Sequence, residues 1–92
     1  MENYKETYNS ILCEVLNEIE RSISLYGHFK NAHEGYAILL EEVDELWGEI
    51  KKRPTPSRLD SIRKESIQIC AMALKMASQI QEWKFLEHKF VG

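Results

Sequence analysis

The sequence predicts an all-α fold: an antiparallel helical hairpin preceded by an N-terminal helix, assembling into a helical-bundle oligomer. Three observations predict it. Apolar residues recur at steps of three and four through three long segments, the spacing that lines one face of an α-helix. Strong punctuation separates the segments, at Gly27 and at the "RPTPS" of residues 53–57. The third segment also carries an apolar surface wider than one neighbouring helix requires, which points to a second copy of the chain. The 92 residues permit a single domain, 1–92, and a chain this short buries only a modest share of its own surface on folding.

The first helix is expected from about Glu2 to Leu25, with Tyr4, Tyr8, Ile11, Leu12, Val15, Leu16, Ile19 and Ile23 on its apolar side. Its other side, with Glu14, Asn17, Glu18 and Arg21, reads as solvated surface. Gly27 supplies a C-terminal stop, and "YGHFKNAH" follows as a loop holding His28 and His33. A second helix is expected from about Ala32 or His33 to Lys52, its stripe being Tyr36, Leu39, Leu40, Val43, Leu46, Trp47 and Ile50. Gly35 inside it hints at the close approach of a neighbour. The two prolines end that helix, and Ser57 is a suitable N-cap for a third, about Arg58 to Gln81. The tail, residues 82–92, keeps Trp83, Phe85, Leu86 and Phe90 and reads as a short fourth helix or an arm.

Composition narrows the function. With 43% hydrophobic and 29% charged residues the chain is of globular type. It has no apolar run long enough to span a membrane, so no membrane partner is expected. A net charge of −3 argues against binding a nucleic-acid polymer through its phosphates. The one basic cluster, "KKR" at 51–53, sits where cations favour the negative end of a helix. The N-terminus lacks a basic region followed by an apolar core, which favours the cytoplasm. Cys13 and Cys70 fall among apolar neighbours and are expected to be buried free thiols.

The segment "LLEEVDELWGEI", residues 39–50, concentrates five acids, Glu41, Glu42, Asp44, Glu45 and Glu49. Glu42, Glu45 and Glu49 share one strip beside the apolar face, with Glu41 and Asp44 further round. Adjacent like charges at these steps disfavour a helix, and no Lys or Arg interleaves them. On the third segment Glu65, Gln68, Met72 and Lys75 form a corresponding strip. If the two helices pack antiparallel about a midpoint near residue 55, Glu45 stands level with Glu65 and Glu42 with Gln68. Such a cluster repels itself unless protonated or occupied by cations. Oxygen donors of this kind suit Mg²⁺ or Mn²⁺. An exposed acidic flank aligned by chance is the plain alternative.

These residues resemble a known family. "EEVDE", 41–45, is similar to the EExxE motif, and "ESIQ", 65–68, to the ExxD motif, of the MazG-like nucleoside triphosphate pyrophosphohydrolases, part of the all-alpha NTP pyrophosphatase superfamily. The resemblance covers about residues 26–80 and is nearest to short forms found in phages and prophages. It implies a Mg²⁺-dependent enzyme that cleaves a nucleoside triphosphate between its α and β phosphates, working as a homodimer or homotetramer. It also implies Glu42, Glu45, Glu65 and Gln68 as the metal set, with Glu41 joining Glu42 and Glu45 in catalysis. Gln68 stands where the family has Asp, which removes one negative charge from the set. Lys75 and His33 are the candidate substrate contacts, and Trp47, Trp83 or a tyrosine is available to stack on a base.

Overall fold

The computed structural model describes residues 3–84, and they are all-α. Helix α1 spans Tyr4–Tyr26, α2 Ala32–Ile50 and α3 Pro56–Ser78. Each start is capped by a short polar side chain. Asn3 accepts from the Glu6 N–H, Asn31 from the Glu34 N–H and Thr55 from the Arg58 N–H. The cap of α3 is therefore Thr55 and not Ser57. Pro56 takes the first helical position, where its missing N–H costs nothing and its fixed φ suits the helix.

Gly27 ends α1 as expected, with φ 75° and its N–H donating to the Ile23 carbonyl. At the hairpin turn Arg58 donates from Nη1 to the Ile50 carbonyl at 2.8 Å, so a side chain of α3 caps the last turn of α2. Gln79 interrupts α3, and helical residues resume at 80–84. The remainder of the tail, including Phe85, Leu86 and Phe90, lies outside the described residues.

The contacts fix the topology. As α3 advances, its partners on the preceding segment step backwards: Arg58 meets Ile50, Glu65 meets Glu42, Met76 meets Gly35 and Gln79 meets Phe29. Helices α2 and α3 therefore form the antiparallel hairpin. Helix α1 runs parallel to α3, since Glu14 pairs with Arg63 and Ser22 with Lys75. Both α1 and α2 pack on α3 and not on each other, which leaves a cleft between them floored by α3.

The core is small: Val15, Phe29, Ala71, Met72 and Trp83, with Ile11, Ile19, Ile38, Leu39, Ile67 and Met76 packed round it. Gly35 is buried, and a Cβ there would stand 3.2 Å from Met76 Sδ and from Phe29 Cδ2, which is the close approach its position suggested. Cys13 and Cys70 are free but exposed, correcting the expectation of burial. Apolar neighbours in sequence did not put them on the faces that meet another helix. No described helix is long and apolar enough to cross a membrane.

Candidate functional site

The hairpin brings the two acidic strips together. Glu42 and Glu45 lie one turn apart on α2, and Glu65 comes from α3. Each offers a carboxylate oxygen, and these oxygens all lie within 4.8 Å of one another. Glu42 and Glu65 are half-buried and Glu45 is exposed. Glu65 Oε2 is buried and has no hydrogen-bond partner, an expensive state for a carboxylate oxygen. Burial, followed by a hydrogen bond shared with Glu65 and the negative charges of Glu45 and Glu65, pushes the Glu42 carboxyl up to about 7. At neutral pH the group is thus poised between holding a proton and releasing it.

Beside this cluster the cleft between α1 and α2 forms a cavity of about 340 Å³. Glu41 and Glu42 line it from α2, Gln68, Met72 and Lys75 from α3, and Glu18, Arg21 and Ser22 from α1, with Phe29 and Ile38 as apolar wall. Lys75 is only 2% exposed. Its ammonium donates to Ser22 Oγ and to the Gly27 carbonyl, each at 2.8 Å, and lies 4.3 Å from the centre of the Phe29 ring. It enters none of the ion pairs found among the described residues. Burial lowers its pKa, with the charge of Glu34 opposing the shift. One buried cation and a carboxylate group therefore share one cavity.

The loop between α1 and α2 is held over this cation. Gln79 accepts from the Phe29 N–H at 3.0 Å and donates to the Phe29 carbonyl at 2.9 Å. Both polar atoms of its buried carboxamide are used, so the backbone at Phe29 is fixed to α3.

The other sequence candidates are placed as follows. Glu41 is exposed at the cavity rim. Gln68 lines the same cavity; Arg21 first, and Gln68 with it, hold the Glu18 carboxyl below its ordinary value. His33 is exposed in the first turn of α2 and His28 is exposed in the loop, and neither lines the cavity. Glu49 pairs with Lys52 at 2.9 Å, away from the cluster. Asp44 and Trp47 are exposed. The side of α1 read as solvated surface is exposed at Asn17 and Arg21 and half-exposed at Glu14 and Glu18; from it Glu14 forks onto Arg63, and Glu18 and Arg21 flank the cavity. The signal was available in the Glu14, Glu18, Arg21 spacing, which sets three charges in one row.

No family model, curated protein or solved structure matches the chain.

Proposed function

We propose that the chain is a MazG-like, Mg²⁺-dependent nucleotide pyrophosphohydrolase acting as a homodimer or homotetramer. The single observation that carries the reading is the convergence of Glu42, Glu45 and Glu65 within 4.8 Å, one oxygen of Glu65 being buried without a partner. A cluster of that kind is self-repelling, and a hard divalent cation relieves it with oxygen donors alone. The donor set fits Mg²⁺ or Mn²⁺, held by Glu42, Glu45 and Glu65, with Gln68 adjacent on the same strip. When bound, the ion offsets phosphate charge and acidifies a water.

The protein's own groups supply the rest. Glu41, at the cavity rim beside Glu42, orients the attacking water and takes its proton. The water oxygen bonds to the α phosphorus as the bond from that phosphorus to the α–β bridging oxygen breaks. Pyrophosphate leaves and the monophosphate remains. Lys75 faces the negative charge of the triphosphate from the cavity wall, in surroundings where a cation acts more strongly than in water.

The test is incubation with a panel of canonical and modified nucleoside triphosphates and Mg²⁺ or Mn²⁺, followed by product analysis. Monophosphate and pyrophosphate are expected, lost in Glu42→Ala and Glu45→Ala. No turnover of any triphosphate would contradict the reading. A second reading, a non-catalytic nucleotide- or metal-binding module, is favoured by Gln68 in the place of an acid. Calorimetric binding of a triphosphate without hydrolysis would select it.

A further inference from the structure

Gln68 stands one turn from Glu65 on α3 and lines the cavity with Glu42. An aspartate has two oxygens that both accept, whereas a carboxamide has one oxygen that can meet a cation and an NH₂ that cannot. Turned toward Glu42 and Glu65, that NH₂ would donate to their carboxylates and compete with a cation for them. Which end faces the group is decided by what the other end can reach.

On the side of α1 that partner is Glu18. Two contacts bracket the level at which α1 runs beside α3, Glu14 with Arg63 and Ser22 with Lys75. Glu18 lies midway between Glu14 and Ser22, and Gln68 lies one residue from midway between Arg63 and Lys75. Parallel helices therefore set the two side chains level. Glu18, Arg21 and Gln68 line both the cavity between α1 and α2 and a second hollow between α1 and α3, so these three side chains separate one from the other. Arg21 forks onto Glu18 from Nε at 3.1 and 3.2 Å and from Nη2 at 2.6 Å, which fixes the carboxylate in place. Arg21 first holds the Glu18 carboxyl below its ordinary value, while burial opposes it and Gln68 assists. Glu18 is therefore ionised at neutral pH and can only accept.

We infer that Glu18 is a positioning residue for Gln68: it takes the NH₂ of the carboxamide on the α1 side and leaves the carbonyl oxygen toward Glu42, Glu45 and Glu65. The inference rests on the metal reading of that group. Helix α1 supplies none of the three carboxylates, yet through Glu18 it decides whether Gln68 is an oxygen donor or a competitor. The pairing also has a sign. An aspartate in place of Gln68 needs no such orientation and would be repelled by Glu18, so glutamate suits this position only while its neighbour is neutral.

The test is a double-mutant cycle read by Mg²⁺ calorimetry on metal-stripped protein. Glu18→Ala combined with Arg21→Ala removes the pair at unchanged net charge, on a helix that alanine favours, and circular dichroism checks that helicity is retained. With Gln68 present the pair's removal is expected to weaken Mg²⁺ binding on the order of tenfold, the scale usual for groups that orient a metal ligand. In a Gln68→Asp background the same removal is expected to leave Mg²⁺ affinity unchanged or to tighten it. Equal weakening in both backgrounds, or none with Gln68 present, overturns the inference. A second readout needs no metal. The side-chain NH₂ resonances of Gln68, identified by their loss in Gln68→Asp, are expected to move when the pair is removed, and resonances that stay in place overturn the inference as well. A wild type that binds no Mg²⁺, but whose Gln68 resonances move with the pair, keeps Glu18 as the partner of Gln68 and counts against the metal reading alone.

Discussion

Glu42 on α2 and Glu65 on α3 meet across the hairpin with carboxylate oxygens inside the 4.8 Å group that Glu45 completes. Two carboxylates at that separation, partly removed from water, oppose folding unless a proton or a cation lies between them.

Metal should stabilise the fold through this group. Mg²⁺ at millimolar concentration is expected to raise the Tm of wild type by several degrees and to leave Glu45→Ala unchanged, because a ligand that binds only the native state shifts the equilibrium toward it. In metal-free buffer Glu65→Gln should melt above wild type, since one repelling charge is gone. Differential scanning calorimetry with and without EDTA reads both effects. An equal Mg²⁺ response in wild type and Glu45→Ala would contradict the expectation.

Stability should depend on pH with the sign opposite to that of a salt-bridged carboxylate. The Glu42 pKa is raised from its ordinary 4.5 to about 7 in the native state, so between these values the native chain binds more protons than the unfolded one. Unfolding free energy then falls as pH rises through that window and levels off above about 7. Urea denaturation across the window should show the fall in wild type and a shallower one in Glu42→Gln. A wild-type slope that is flat or rising, or identical in the variant, would count against the cluster.

Lys75 ties α3 to the end of α1. Lys75→Met keeps the aliphatic stem but strands the Gly27 carbonyl and Ser22 Oγ, and is expected to cost about 1–3 kcal/mol in urea denaturation. A glutamine carboxamide can donate but is shorter than the lysine stem, so Lys75→Gln should recover little. If Lys75→Met is as stable as wild type, the two hydrogen bonds contribute nothing net.

Gly35→Ala separates helix propensity from packing. Alanine gains about 1 kcal/mol in a helix interior, but its methyl would sit 3.2 Å from Phe29 Cδ2, and Phe29 cannot retreat because Gln79 holds its backbone. Overpacking of this kind costs about 1–3 kcal/mol, so a net loss is expected. The same substitution in a Met76→Ala background should cost less. A stabilised single variant would show that the contact relaxes freely.

The helices and the hairpin were legible because a repeat of three and four states which residues share a face, and because Gly27 and the two prolines leave no continuous alternative. The meeting of Glu42, Glu45 and Glu65 was legible for the same reason, the short turn fixing the register of α2 on α3. What one sequence does not state is the rotation of a helix about its own axis when it has two neighbours. Cys13 and Cys70 sit at apolar spacing yet point outward. Glu18 reads as solvated, and only the run of α1 along α3 sets it half-buried beside the cavity. Lys75 looked like one more member of a polar strip, and only the return of the loop at Gly27 and Phe29 buries it. The shift of the cap from Ser57 to Thr55 is a smaller lesson, since a proline one residue earlier was already suited to open the helix.

A crystal soaked in Mn²⁺ tests most directly the proposal that the acidic strip of α2 is one wall of a metal site. The account predicts an anomalous peak between Glu42, Glu45 and Glu65, absent from crystals of Glu45→Ala. Crystals that diffract well and show no peak there, or a peak only on other surface carboxylates, would contradict it.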